Sequence, residues 1–464
     1  MPETKAVPPL DAGWLWLESA SNLMHGSFLA LFAPPPDGGA DFVARLAAEM
    51  RMHRTPSPPF DRRLKPGWSS RLMPRWEIVD EIDPDVHLRC VRLPRPGGER
   101  ELGELVSELH GTRIDHAHPP WRIDLIDGLV GDRFAIVGRM HHAVVDGVGA
   151  LAIVRDWLSE DPEARETGPI WSYRRRGSTA IRSNGRSAEG SSADGERGRS
   201  LKGLFGAAVR VGRNAALGVS GRPWSAPRSP LNTPITARRR VSTASFELAR
   251  FRAVADAAGG TINDVVLAVC AGSLRRYLSE MDRLPRGSLT TNIPVSVRGG
   301  ADADGSGNRI SWAMLAMATD IEDPVERLDR IRAATSAAKR RLSQMHGREV
   351  DVYTLLAVTP ILLEQLTRVG GRVPPLFNVP VSNVPGPPRT LYLNGARLDE
   401  IQAFTVIYSG YGLNVVTLSY ASRLAFAFTA CADTVPHSQR LAVHCGDALE
   451  ELEASLAVAD HAGG

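Results

Sequence analysis

Between Gly177 and Ser200 the chain is built almost wholly from Arg, Ser, Gly, Asp, Glu and Asn, with next to nothing apolar. Such a stretch buries too little surface to repay the entropy of ordering it, so it cannot belong to a core. It lies within a longer biased segment, Trp171 to Pro230, that reads as an exposed linker. The apolar residues must therefore gather on its two sides. At 464 residues the chain also exceeds what one core usually organises. The expectation is a domain over 1–175, a linker over 176–229 and a second domain over 230–464.

Hydrophobic periodicity places strands and helices on both sides. Arg133 to Met140 reads as a strand and Ala150 to Leu158 as a helix, so His141-His142-Ala143-Val144-Val145-Asp146-Gly147 falls in the loop between them. After the linker, Thr243 to Leu248 reads as a strand. From the capping residue Thr261 onward, Ile262, Val265, Val266, Val269, Cys270, Leu274, Tyr277 and Leu278 fall on one helical face. Ser288 to Val297 and Ile310 to Thr319 read as strands, and Asp323 with Pro324 opens a further helix. Another helix is expected over Val352 to Val369. Leu413 to Tyr420 and Arg423 to Ala430, joined by Ala421-Ser422, form a hairpin pattern, and Ser438 to Val458 closes as an amphipathic helix. The fold class is α/β, with mixed sheets packed by helices. No short repeat points to a solenoid or propeller.

Several functional classes are excluded. The longest uncharged run, Ile401 to Ser422, is broken by Gln, Ser, Gly and Asn, so no membrane-spanning helix is expected. Met1 to Leu10 lacks the basic-then-apolar order of a secretory signal, which favours a cytoplasmic protein. Cys90, Cys270, Cys431 and Cys445 have neither redox nor zinc spacing. A net charge of +3 does not point to nucleic acid.

The paired histidines carry the chemistry. Neutral imidazole can take the proton of an attacking hydroxyl near neutral pH, and His142 is the candidate base. His141 reads as structural beneath the loop. Asp146, next to Gly147, can enter a tight turn and fix the loop or the ring, and Gly147 lets the backbone approach a ligand. A tetrahedral intermediate would need a donor for its oxyanion, either a backbone N–H near Gly147 or the Asn263 amide. Two histidines and a carboxylate can also bind metal, but no second cluster has ligand spacing, so neither metal nor cofactor is expected.

His141-His142-x-x-x-Asp146-Gly147 resembles the signature shared by chloramphenicol acetyltransferase, nonribosomal peptide condensation domains and the bacterial wax ester synthase/diacylglycerol acyltransferase family. The surroundings resemble the last. Leu17-Glu18, Asn22 and Met24-His25, then Trp121 to Gly128, precede the motif as in that family. Pro230-Leu231-Asn232, Asn263-Asp264, Asn292 to Arg298, Gly307-Asn308-Arg309, Ser382 to Pro387 and Gly412-Leu413-Asn414 follow it in the family's order. The resemblance runs from about Asp11 to Val458, and the long arginine-rich linker departs from it.

The resemblance implies two chloramphenicol-acetyltransferase-like halves with the histidine in a channel between them, reached by acyl-CoA from one side and the acceptor from the other. The acceptor would be diacylglycerol, giving triacylglycerol, or a long-chain alcohol, giving a wax ester. Competing readings are a condensation-type enzyme using carrier-protein thioesters and a non-catalytic lipid-binding homologue. Intact His142, Asp146 and Gly147 argue against the second.

The remaining motifs have plainer readings. Thr261-x-x-Asp264 fits a helix-capping pattern, and Asn263, Asp264, Pro230, Leu231, Asn232 and Arg298 serve as channel lining or structural support, with Arg298 as an ion-pair partner for Asp146. Arg238-Arg239-Arg240 is either a solvated patch or a site for CoA phosphates. Leu201 to Val219 suits a helix at a membrane or lipid-droplet surface, or one packed on the protein itself. Trp14, Trp16 and Leu17 read as core. No Ser or Cys stands in a nucleophile-elbow pattern, and Cys270 falls on an apolar helix face, so the expectation is direct transfer in a ternary complex.

Overall fold

The structure, a computed structural model, describes residues 3–67, 72–173, 226–297, 309–344 and 359–457. The first half runs β1 (Thr4–Ala6), α1 (Pro9–Leu17), β2 (His25–Ala33), α2 (Phe42–Met52), β3 (Arg62–Leu64), β4 (Arg75–Ile78), α3 (Pro84–His87), β5 (Leu88–Arg92), α4 (Glu99–His110), β6 (Trp121–Asp127), β7 (Phe134–His141) and α5 (Gly147–Trp157). The second runs β8 (Arg239–Glu247), α6 (Leu248–Ala257), α7 (Ile262–Glu280), β9 (Thr290–Val297), β10 (Arg309–Ala316), α8 (Pro324–Ser343) and α9 (359–366). It continues with β11 (Val379–Pro385), β12 (Tyr392–Leu393), β13 (Ala396–Phe404), β14 (Leu413–Tyr420), β15 (Arg423–Cys431) and α10 (Gln439–Ser455).

Two six-stranded sheets organise these elements. The first has the order β12-β13-β2-β7-β6-β5 and the second β10-β9-β11-β14-β15-β8, while β1, β4 and β3 make a small third sheet. Both large sheets are mixed: β5 runs parallel to β6, and β11 parallel to both β9 and β14. This is the expected α/β class. The expected domain limits follow chain order, but the sheets do not. β12 and β13 come from the segment 230–464 and complete the first sheet, β13 pairing antiparallel with β2 from Arg397↔Ala33 to Phe404↔Ser27. The crossing gives β2 a partner on the side away from β7, so neither of its edges is left open.

The first sheet is covered on both faces, as strict alternation along β7 requires. Phe134 and Ile136 face Phe42, Leu46 and Met50 of α2 and Ile153, Val154 and Trp157 of α5. Ala135 and Val137 face Val106 and Leu109 of α4. Side chains of this size contribute roughly 1.5–3 kcal/mol each when buried. Gly138 has a steric reason: its cross-strand partner is Phe28, and a Cβ there would fall 2.1 Å from the Phe28 ring. On its other side α4 meets the second sheet, where Ser107 accepts the Val241 backbone N–H at 3.0 Å.

In the second half α7 is the central helix. Thr261 caps it and Asp264 completes a capping box. Its burial extends beyond the one face that periodicity suggested, because Ala268, Ala271, Gly272 and Ser273 are also enclosed, with Ser273 donating to Leu441 of α10 at 2.7 Å. The hairpin over 413–431 forms with Ala421 in the left-handed turn position, and α5 starts earlier than expected because Asp146 caps it. Of the helix expected over Val352 to Val369, 359–366 is helical and 352–358 lies outside the described residues. Gly177 to Ser200 and Leu201 to Val219 lie outside them too. The linker reading at Trp171 needs correction. That side chain is fully buried, stacks on Trp121 at 5.5 Å and donates its indole N–H to His53 O at 2.9 Å, because it fills the end of the first core.

Because β13 closes the first sheet, residues 1–175 expressed alone should be insoluble or molten, and co-expression with 176–464 should restore a folded complex by size-exclusion chromatography and circular dichroism. A soluble 1–175 fragment with a cooperative thermal transition would contradict this interlock.

Candidate active site

β7 delivers both histidines. His141 is its last residue, paired with His25 of β2, and the His142 backbone N–H donates to Met24 O at 2.8 Å. Past the strand, Ala143 and Val144 pack into a cluster with Val7, Ala12 and Trp76, which ties the turn to α1 and the small sheet. The loop is therefore held from both sides.

His141 is wholly buried, and burial pushes its pKa well below the usual value. Its Nδ1 accepts the Ala143 N–H at 3.1 Å, so the proton of the neutral ring sits on Nε2. Nε2 faces the buried carboxylate of Glu18, 4.0 Å from Oε1; Arg113 and the Nε2 of His116 lie 2.9 and 3.3 Å from Oε2. Glu18, His116 and His141 have the composition of a metal site. The chemistry argues otherwise: a metal needs a lone pair on His141 Nε2, where the Ala143 contact puts a proton, and Arg113 already supplies a cation to the carboxylate.

His142 is half-buried. Its ring stacks on Trp14 (4.9 Å between centroids, 28° between planes), and Nε2 lies 3.3 Å from the Thr405 hydroxyl oxygen. Gly26 lies beside that edge of the ring, where a Cβ would meet Nε2 at an ordinary contact distance of 3.6 Å. Burial lowers the His142 pKa to about 4 against a smaller opposing pull from the Asp146 charge. The imidazole is thus uncharged at neutral pH.

Asp146 is the N-cap of α5, its exposed carboxylate accepting the Gly149 N–H at 2.7 Å, and Gly147 is the first helical residue. Arg298, its expected ion-pair partner, lies outside the described residues. His141, His142, Asp146 and Gly147 therefore share one turn. The other motif residues sit elsewhere. Asn263 Oδ1 accepts from Asn383 of β11 at 3.4 Å, while Asp264 accepts the Thr261 N–H (2.9 Å) and the Thr335 hydroxyl (2.5 Å). Pro230–Asn232 form a 3-10 turn in which Leu231 enters the core and the Asn232 amide donates to Gly410 O at 2.8 Å. Among the described residues none of these hydrogen-bonds to the His142 ring. Of the arginine triplet, Arg238 pairs with Asp433, while buried Arg239 donates to Ser21 O (2.5 Å), tying the halves together. Sequence reasoning missed Thr405, which is 263 positions from His142, and read Trp14 only as core.

A half-buried imidazole with its Nε2 3.3 Å from a hydroxyl oxygen thus stands where a strand of one half crosses into the sheet of the other, and comparison with known proteins makes this fold that of an acyltransferase. The wax ester synthase/diacylglycerol acyltransferase catalytic-domain profile matches residues 7–266, and the C-terminal-domain profile of the same family matches 306–453. A probable diacylglycerol O-acyltransferase of Mycobacterium tuberculosis is 35% identical over 451 residues, covering 97% of this chain and 99% of the relative. A putative diacylglycerol O-acyltransferase of Mycobacterium bovis is 37% identical over 454 residues, with the same coverage. The solved wax ester synthase/diacylglycerol acyltransferase from Marinobacter aquaeolei VT8 superposes with a TM-score of 0.80 at 33% identity, over 98% of this chain and all of that one. The first condensation domain of the CDA synthetase (TM-score 0.56, 17% identity, 99% and 97% coverage) shares the fold alone. The chain belongs to the wax ester synthase/diacylglycerol acyltransferase family.

Because Asn and Asp cap helices about equally, Asp146→Asn should keep α5 capped and most of the turnover, whereas Asp146→Ala should lose about 1 kcal/mol of stability and far more activity. Denaturant unfolding and steady-state rates read both. Equal loss of rate in the two variants would show that the charge, not the cap, is what matters.

Proposed function

We propose that the protein transfers a long-chain fatty acyl group from acyl-CoA to diacylglycerol, forming triacylglycerol, and to long-chain alcohols, forming wax esters, with His142 as general base. The observation that carries this is the contact between His142 Nε2 and the Thr405 hydroxyl: the uncharged ring already faces an O–H where an acceptor alcohol would present its own. The acceptor proton passes to Nε2 as its oxygen attacks the thioester carbon, and the same proton then leaves with the CoA sulfur. His141 fixes the turn and Asp146 its geometry. Asn263, Asp264 and Pro230–Asn232 act as support behind the channel.

Transfer is direct. Cys270 is buried in the core with its pKa raised well above the usual value by desolvation, which makes it a poor nucleophile. No cofactor takes part, and acyl-CoA enters as a co-substrate. In this reading the protein is cytoplasmic and meets its lipid acceptor at the inner face of the membrane or at a lipid droplet. Trp16, expected in the core, is instead exposed, as are Leu363 and Leu366, and these side chains favour such contact. Among the described residues no single helix is long and apolar enough to cross a membrane; the bent α6/α7 pair passes by composition only, and α7 lies in the core.

Purified protein given labelled palmitoyl-CoA should make triacylglycerol from diacylglycerol and wax ester from hexadecanol. His142→Ala should lower the rate ~10²–10⁴-fold while leaving the fold intact. Only the neutral imidazole accepts a proton, so kcat/KM should stay flat from pH 8 to about 5 and fall with an acid limb near the His142 pKa of about 4. Near-normal turnover in His142→Ala would refute the assignment, and an acid limb at pH 6.5 would show that burial does not depress the His142 pKa.

A further inference from the structure

The oxyanion of the tetrahedral intermediate needs a donor beside His142: the Gly149 N–H is taken by Asp146, and Asn263, whose Oδ1 accepts from Asn383, has no hydrogen bond that joins it to the histidine turn. Thr405 follows β13 directly, and its position is fixed twice over. Phe404 pairs with Ser27 of β2, and the Thr405 carbonyl accepts from His110 Nε2 at 3.3 Å. The His110 ring is itself set, because with Nε2–H donating to that carbonyl its Nδ1 must accept the Ser27 hydroxyl, 2.7 Å away. Those contacts fix the main chain, and the Thr405 hydroxyl oxygen stands 3.3 Å from His142 Nε2.

We propose that Thr405 is a catalytic residue whose hydroxyl serves the two states of the reaction in turn, donating to His142 Nε2 in the resting enzyme and to the oxyanion of the tetrahedral intermediate during transfer. This rests on His142 being the base, and the logic is one of lone pairs. In the free enzyme, Nε2 must offer its lone pair, and Thr405 O–H fills it as the acceptor alcohol later will. When the acceptor binds, its O–H displaces that donor. Its proton then moves to Nε2, its oxygen bonds to the thioester carbon, and the C=O π pair moves onto the carbonyl oxygen. Nε2–H can no longer accept, so the Thr405 proton turns to the new negative oxygen beside it. Collapse re-forms C=O, breaks the C–S bond and sends the thiolate off with the proton from His142. The Thr405 hydrogen bond is strongest where the charge is largest, so it favours the transition state over bound substrate.

The test compares Thr405→Val, Thr405→Ala and Thr405→Ser with wild type and His142→Ala, using palmitoyl-CoA and hexadecanol. Thr405→Val and Thr405→Ala should lower kcat by about 10²–10³-fold with the KM for acyl-CoA little changed, the cost of one lost oxyanion donor. Thr405→Ser should keep kcat within about tenfold of wild type. Removing a donor to neutral Nε2 should also move the acid limb of kcat/KM to higher pH in Val and Ala but not in Ser, a change that loss of packing alone would not produce. If Val fails to fold, the Ala variant decides. Wild-type kcat in Val or Ala, or a Ser variant as slow as Val, overturns the Thr405 proposal while leaving the base assignment standing. An active His142→Ala overturns the base assignment instead.

Discussion

The pairing of β13 with β2 is the interaction on which the rest depends. β2 also pairs with β7, so one strand aligns the segment ending at Thr405 with the segment ending at His141. Because side chains alternate across a sheet, a slip of one residue in either register would turn each strand's inward set outward. The separation of Thr405 and His142 is therefore set by backbone ladders, not by two loops meeting across a gap. The same crossing makes the first sheet a product of both ends of the chain.

Around that junction the protein keeps imidazoles uncharged. His25 and His141 are pushed well below the ordinary histidine value and His110 to about 3, in each case chiefly by burial, with neighbouring positive groups adding to the effect. Neutral rings have definite tautomers, and definite tautomers give directional hydrogen bonds: Ser27 to His110 to the Thr405 carbonyl, and Ala143 to His141. A charged ring would offer only donors and lose that direction. Low basicity at His142 would limit its strength as a base, but it keeps the ring uncharged across the neutral range.

Local signals carried much of this to the reader of the sequence. The loop position of the double histidine, the Thr261–Asp264 capping box and the hairpin over 413–431 follow from periodicity and cap chemistry, which act over a few residues. The crossing did not emerge that way. Asn394-Gly395, both with positive φ, marks the β12/β13 turn and is the type of dipeptide that signals a hairpin, but nothing in it says which sheet receives the strand. The Thr405 contact is a consequence of that choice. Glu18 and His116 were equally out of reach, since only the fold brings them to His141. Trp171 was assigned to the linker because its neighbours are polar, although its own side chain belongs to the core.

The central claim is that His142 stands as a neutral imidazole with its Nε2 lone pair turned toward the substrate hydroxyl. Long-range ¹H–¹⁵N correlation spectra of protein labelled at histidine nitrogen, assigned with His142→Gln, observe this directly. The account predicts a His142 ring that is neutral at pH 6, protonated at Nδ1 only, and that charges near pH 4. A ring that is imidazolium at pH 6, or one that carries its proton on Nε2, would contradict it.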